Sequence, residues 1–404
     1  MRLINTRTRQ FAEFFDSNIP HYAILSHRWS SSSEDEVTYK EYRKGRDKDL
    51  DKPGWAKIQE FCTLARADGW DWAWIDTCCI DKRSSAELTE AINSMFEWYR
   101  GSAVCYAYLN DCTGLDDWQH SSWWTRGWTL QELVAPRSVI FYDKAWNKIG
   151  TKCDLGPAIE GIAGIPRVVL AGSEHQMYKY WTVAQKLSWA AGRKTSRIED
   201  RAYSLLGLFN VNMPLLYGEG AKAFERLQLE ILQKYTDESI FAWRPDPDMA
   251  RKPQLLLASD PDSFLDCADM EPSSASVAPS PRENANSTPR LLHPPRRSSW
   301  GIEIVANAHK LYPRRELVDA HGKVHPFLWA VTLTSAWNSR LRELPCTIVL
   351  IQHGPMTYSY KRLECYQMPR DKCRLRLRRW YRIGAEEPDR TFFLQYDADF
   401  ECDC

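Results

Sequence analysis

The sequence predicts an α/β fold: a parallel sheet with covering helices in the first 150 residues, a helical extension, then a small β domain. Three observations carry that prediction. Up to about residue 150, short apolar runs alternate with amphipathic patterns of helical period. Residues 151–245 are mostly helical in pattern, and after residue 300 strand-like runs recur with no strong helical period between them. Strands separated by helices of this length imply βαβ units and parallel pairing.

Taken in order, Tyr22-Ala-Ile-Leu-Ser26 is a short apolar run and reads as a buried strand. Lys52 to Gly69 carries Trp55, Ile58, Cys62 and Ala65 at helical spacing, with Pro53 in its first turn and Gly69 at its end. Asp71-Trp-Ala-Trp-Ile-Asp76 is the second strand. Ser84-x-x-Glu87 forms a capping box, after which Leu88, Ile92, Met95, Phe96 and Tyr99 line one helix face. Ala103 to Leu109 and Ser138 to Tyr142 are the third and fourth strands, and the segment from Trp123 to Leu133 between them is the short third crossover helix.

Further on, Trp181 to Ala191, Arg197 to Leu208 and the face Phe224, Leu227, Ile231 and Tyr235 read as helices. Residues 246–299 form a linker. Within it, residues 271–299 hold six Pro and seven Ser, too little apolar surface to offset ordering entropy, and predict disorder. Gly301 to Val305, Leu328 to Leu333, Thr347 to Ile351 and Thr391 to Tyr396 are strands of a β-rich domain over 300–404. In that domain Arg374, Arg376 and Arg378 share one strand face, which reads as a solvated edge.

Composition narrows the function. Lys plus Arg and Asp plus Glu both number 53, which excludes a globally basic surface held to nucleic acid by counterion release. The polar start lacks a secretory h-region, and no apolar stretch approaches the length of a membrane span. Twelve cysteines without a signal are expected to be reduced thiols, so a cytoplasmic protein is expected. No P-loop, H-E-x-x-H or paired C-x-x-C occurs, so neither a phosphate cradle of that type nor a metal site is expected. The 18 tryptophans stand out, because eleven fall within the first 150 residues. They form an unusually aromatic core or a stacking surface.

Ligands of an open parallel sheet bind outside the carboxyl ends of its strands. Three predicted strands end in polar clusters there: Ser26-His27-Arg28-Trp29, Asp76-Thr77-Cys78-Cys79 and Asn110-Asp111. Solvated loops alone would explain them equally well. Trp128-x-x-x-Glu132 is sharper, since it sets an indole and a carboxylate one turn apart on one helix face. An aromatic platform beside a carboxylate suits sugar or nucleotide chemistry. The plainer alternative is a packing pair with Glu132 exposed or bound to Arg126. Cys78 and Cys79 read as buried packing residues.

Tyr22-Ala-Ile-Leu-Ser-His-Arg-Trp29, Trp74-Ile-Asp-Thr-Cys-Cys-Ile-Asp-Lys82 and Arg126-Gly-Trp-Thr-Leu-Gln-Glu-Leu133 resemble the signature blocks of the fungal heterokaryon-incompatibility (HET) domain. Arg197-Ile-Glu-Asp-Arg-Ala-Tyr-Ser-Leu-Leu-Gly-Leu208 and Met213-Pro-Leu-Leu-Tyr-Gly-Glu-Gly220 look like the continuation in its HET-E-like members. The resemblance covers roughly residues 1–245. It implies a TIR-like, flavodoxin-like sheet over 1–150 with a helical extension over 151–245. Such relatives often append a nucleotide-binding domain and repeats, and the missing P-loop predicts that this chain acts without one in cis.

In TIR enzymes a glutamate on the third helix, often in a W-x-x-x-E pattern, supports cleavage of the nicotinamide–ribose bond of NAD. The resemblance therefore implies Glu132 as the catalytic residue and NAD as substrate, with no resident cofactor. Trp29 and Trp128 would hold rings, and Ser26, His27, Asp76 and Arg126 would line the substrate site. It also implies non-self recognition, programmed cell death and self-association through the HET domain, the alternative being a non-catalytic signalling adaptor.

Overall fold

In the computed structural model, the described residues are 1–15, 18–30, 32–45, 52–171, 181–235, 237–244 and 256–272. Toward the C-terminus they are the strand backbones at 296–298, 301–313, 328–338, 345–352, 359–366 and 381–394. Contacts group Met1–Met177 with Arg193–Gly220 as one compact unit, and Tyr178–Gly192 with Ala221–Cys404 as a second.

The first unit is built on seven strands: β1 (Arg2–Asn5), β2 (Phe11–Glu13), β3 (Ala23–His27), β4 (Trp72–Trp74), β5 (Val104–Tyr108), β6 (Val139–Tyr142) and β7 (Lys148–Thr151). Their order is β2-β1-β4-β3-β5-β6-β7. The middle four strands are parallel, with Ala23 beside Ala73 and Val104, and Cys105 beside Val139. At the two edges β1, β2 and β7 run antiparallel to their neighbours. The sheet is therefore mixed, and the four central strands are the four that the apolar runs predict. Every residue of β3 is buried, as a strand covered on both faces requires.

Among the four parallel strands the chain winds first to one side of β3 and then to the other. The reversal lies between β3 and β5, where an open α/β sheet leaves a crevice at its carboxyl edge. The helices follow local chemistry. Helix α1 (Tyr39–Lys44) opens on a full capping box at Thr38 and Glu41. Helix α2 (Pro53–Ala67) starts with proline at its first position and buries Trp55, Ile58, Phe61, Cys62 and Ala65. It ends before Gly69, whose φ of +90° suits glycine.

Helix α3 is a single turn over Asp76–Cys79, so Asp76 heads a helix directly after β4 instead of ending the strand. Helix α4 (Ser85–Gly101) has the predicted Ser84 cap, whose side chain accepts from the Glu87 amide. The reciprocal half of that box does not form. The Glu87 carboxylate accepts from the Arg2 guanidinium at 2.8 Å and the Asp81 amide at 2.7 Å, a charged partner outcompeting the cap.

The segment expected as one crossover helix is two pieces. A 3-10 turn covers Ser122–Thr125, and helix α5 covers Thr129–Val134, with Arg126 extended between them. The break has a visible cause. The Gly127 amide donates to the Lys194 carbonyl at 2.9 Å, and the Lys194 amide donates to the Thr125 carbonyl at 2.7 Å. A Cβ on Gly127 would sit 2.5 Å from the Thr195 methyl, so this close approach needs glycine.

The second unit holds the helices Val183–Ser188 and Lys222–Lys234 and a seven-stranded sheet. Its strands are β8 (Met270–Pro272), β9 (Arg296–Ser298), β10 (Gly301–Pro313), β11 (Leu328–Asn338), β12 (Pro345–Gln352), β13 (Ser359–Tyr366) and β14 (Tyr381–Leu394). The order is β8-β11-β12-β13-β14-β10-β9, and a further β10–β11 pairing closes five strands on themselves. Most of the expected disorder at 271–299 and the arginine run at 374–378 lie outside the described residues. No helix among the described residues is long and apolar enough to cross a membrane.

Candidate functional site

Glu132 is the centre of the site. It lies on α5 only four residues after Trp128, and the packing of α5 against β3 carries it inward until 7% of it is exposed. Its carboxyl Oε2 accepts a 2.5 Å hydrogen bond from the Ser26 hydroxyl, and Ser26 Oγ in turn accepts from the Trp123 indole N–H at 2.9 Å. Ser26 is fully buried and Trp123 nearly so. The chain Trp123–Ser26–Glu132 thus fixes the carboxyl from behind.

Burial dominates the acidity of Glu132 and pushes its pKa up to about 8, helped by the negative charge of Asp76. The Ser26 bond, the Arg126 charge and the Tyr99 hydroxyl act in the opposite direction. Asp76 shows the contrary outcome. Burial opposes its ionisation, yet Lys82, His27 and Trp29 together hold its carboxyl well below the usual carboxylate range. Two carboxyls near one another are driven apart in pKa, the arrangement that separates a permanent charge from a group able to exchange a proton.

The Asp76 partners are ordered. Oδ1 lies 3.1 Å from His27 Nε2, Oδ2 accepts from the Trp29 indole N–H at 2.7 Å, and the Lys82 ammonium stands 3.6 Å away. The Lys57 ammonium faces His27 Nδ1 at 3.0 Å and is also paired with Glu36. The Arg28 carbonyl lies 3.2 Å from the same Nδ1; because an ammonium can only donate, the contact with Lys57 requires Nδ1 to accept, and the imidazole N–H then sits on Nε2 toward Asp76.

These groups open on one cavity of about 340 Å³ at the carboxyl edge of the sheet, near the small end of ligand-pocket sizes. Ile80, Leu88, Ile92, Met95 and Tyr99 form an apolar wall, while Asp76, Lys82, Arg126, Glu132, Arg197 and Asp200 bring ionisable groups. Of the residues expected at the site, His27, Trp29, Asp76, Arg126, Trp128 and Glu132 all line this cavity. Ser26 is the one placed otherwise: with no exposed surface, it reaches the site only through Glu132. Its neighbour His27 points to the other face of β3, as strand alternation requires.

Trp123 and Trp124 stay out of the cavity. They stack edge to face with one another and pack on Phe141, in the core behind α5. Cys78 and Cys79 are buried free thiols, and burial raises the Cys78 thiol far above its ordinary value, which leaves it a poor nucleophile. Among the described residues no cluster of three or more His, Cys, Asp or Glu side chains could hold a metal ion.

Sequence reasoning missed the contribution of residues 193–220. Arg193 is buried beneath α5, where it donates to the Arg126 carbonyl at 3.0 Å and the Thr129 hydroxyl at 3.2 Å. Burial lowers its pKa to about 10, and the charge of Glu132 works against that. Ser196, Arg197, Asp200 and Tyr217 complete the cavity wall. Asp200 accepts from the Tyr217 hydroxyl at 2.9 Å, and the Arg197 guanidinium lies over the Tyr217 ring, 4.4 Å from its centre. The Glu199 carboxylate receives the Gly218 and Gly220 amides at 2.8 and 3.1 Å, where φ of +105° and +62° turns the backbone toward it. Alternating charge from Arg197 with Tyr-Gly-Glu-Gly at 217–220 was the available signal; it lay far beyond the last strand of the parallel core, which ends at Tyr142.

Residues 22–114 match the family model described as heterokaryon incompatibility protein (HET), and residues 222–289 match that of a domain of unknown function (DUF8212). The first match spans β3 to β5, with Ser26, His27, Trp29, Asp76 and Lys82, and ends before Glu132. The vegetative incompatibility protein HET-E-1 of Podospora anserina is 46% identical over 225 residues, covering 53% of this chain and 16% of that protein. The chain therefore spans less than a fifth of the length of that relative. No solved structure matches the chain.

Proposed function

We propose that this chain, a heterokaryon-incompatibility domain protein, acts in vegetative incompatibility and brings about cell death by hydrolysing NAD at its nicotinamide–ribose bond. The observation that carries the chemistry is the Glu132 carboxyl. It is buried, held by Ser26, and opens on the cavity shared by Asp76, Trp29 and Trp128. The order of the four parallel strands supports a TIR-like reading, because the site falls at their switch point.

The geometry suits the reaction in steps. The aromatic and apolar walls can take a pyridinium ring, and Asp76 supplies a lasting negative charge that favours this cationic substrate. In the free site Glu132, with a pKa near 8, is mostly protonated at neutral pH. A bound cation beside it favours the carboxylate, so substrate binding lowers that pKa and releases the proton.

As the C–N bond to the ribose C1′ breaks, its electron pair leaves with nicotinamide, and positive charge moves onto C1′ and the ring oxygen. The Glu132 carboxylate stabilises that oxocarbenium-like centre. Water then adds at C1′ and gives up a proton, so NAD and water yield ADP-ribose, nicotinamide and one proton. Asp200 and Arg126 both line the cavity and would bond ribose hydroxyls and phosphate.

The test is nicotinamide release by the purified full chain, compared with Glu132→Gln. Release that depends on Glu132 is the expected result. No release at high protein concentration, or equal release by both proteins, removes the enzymatic reading and leaves a self-associating adaptor.

A further inference from the structure

We propose that Lys82 is the anion anchor of this cavity, its ammonium taking the phosphate next to the ribose of the ligand and so selecting phosphorylated nucleosides over bare ones. The inference rests on the NAD reading and names the part of the ligand that this side chain recognises. Its first support is an unfinished set of bonds. Lys82 Nζ is buried, lines the cavity, and makes no hydrogen bond to any described protein group. An ammonium carries three donors, and although 31% of the side chain is exposed its nitrogen is not, so leaving them unused is costly.

The nearest anion does not supply the missing bond. Asp76 Oδ2 lies 3.6 Å from Nζ, beyond hydrogen-bonding range, and already accepts the Trp29 indole N–H at 2.7 Å. Its other oxygen faces His27 at 3.1 Å. Burial lowers the Lys82 pKa, and Asp76 works against that by favouring the charged form without satisfying it. Beneath the ammonium, 3.3 Å from its nitrogen, lies the centre of the Trp29 ring. Because the Trp29 N–H is tied to Asp76, that ring is a fixed seat, and the cation–π contact holds Nζ in place.

An ammonium held in position by an ion pair and a ring, with no hydrogen bond of normal length, is organised for a ligand rather than for the fold. Phosphate is the fitting class, with several strong acceptor oxygens and a charge opposite to that of the ammonium. A second cation, Arg126, lines the same cavity, so a phosphate there meets more than one positive charge. Asp76 remains ionised beside Nζ, so phosphate meets the ammonium on the side away from that carboxylate, while Glu132 is mostly uncharged before the ligand binds.

Nicotinamide mononucleotide and nicotinamide riboside differ only by one phosphate, and both are used as probes, with binding measured by calorimetry on the full chain. Wild type is expected to bind the mononucleotide more tightly. Lys82→Ala should weaken the mononucleotide by about 10- to 100-fold, the worth of one charged hydrogen bond. The riboside should be unchanged, and Lys82→Arg should restore much of the loss.

Equal weakening of both probes, together with a lowered melting temperature, would make Lys82 a structural residue and overturn the anchor while leaving the NAD reading intact. Equal affinity of wild type for the two probes overturns it as well. Failure of wild type to bind either probe overturns both the NAD reading and the anchor.

Discussion

Replacing Glu132 with glutamine should change how stability depends on pH, and the structure fixes the sign. The folded chain holds the Glu132 proton up to about pH 8, whereas the unfolded chain releases it near the ordinary value of 4.5. Between those limits the folded state binds more protons, so stability falls as pH rises, by at most about 1.4 kcal/mol per unit. The contribution is fully present below pH 4.5 and lost above about pH 8. Across that window it amounts to roughly 5 kcal/mol at most, which internal relaxation reduces to a few kcal/mol.

Glutamine has nearly the same shape, its amide oxygen can still accept from Ser26, and it does not titrate. Unfolding of both proteins in urea would be followed by tryptophan fluorescence from pH 5 to 8.5, since eleven of the 18 indoles lie in the first 150 residues. The stability difference, mutant minus wild type, should grow with pH until about pH 8 and then level off. A difference independent of pH across that range would mean that Glu132 titrates as an ordinary carboxylate, and the buried-acid argument would fail.

Ser26→Ala removes the hydrogen bond that holds the Glu132 pKa down, so the same pH window should extend further upward; an unchanged window would contradict the Ser26–Glu132 link. The variant should also cost about 1–3 kcal/mol, because the Trp123 indole N–H loses its acceptor in the core. Gly207→Ala would place a Cβ 2.0 Å from the Phe96 Cβ on α4, and overpacking of this kind costs about 1–3 kcal/mol. A melting temperature equal to wild type would show that α4 is not packed against residue 207 as described. If the chain cleaves NAD, kcat/KM should rise with pH through the free-site value near 8, and a flat pH–rate profile would argue against Glu132 as the titrating group.

Much of the parallel core was legible because periodicity and burial agree there. The fully buried β3 could only read as a continuous apolar run, and α2 and α4 announce themselves with Pro53 and Ser84. Asp76 shifted from strand end to helix start because a β4 of three residues leaves the chain free to turn at once. The break at Arg126–Gly127 was not legible. It depends on pairing with Lys194, a contact 67 residues away, and no local pattern carries that.

The site divides along the same line. Trp128 and Glu132 are one helical turn apart, so their shared face followed from spacing. Ser26, by contrast, looked like a ligand-loop residue because it ends a strand, and only the packing of α5 reveals that it sits behind Glu132. Lys82 appeared in the sequence only as the last residue of the Trp74–Lys82 block, with no role of its own. Its unsatisfied ammonium over Trp29 exists only once α3 turns it inward.

The most direct measurement of the central claim is nicotinamide released from NAD by the purified full chain across a range of protein concentrations. The expected result is release that is lost in Glu132→Gln while the mutant's melting temperature at pH 5 stays near that of wild type. Release that persists undiminished in a folded Glu132→Gln protein, or none from wild type at any concentration, would contradict it.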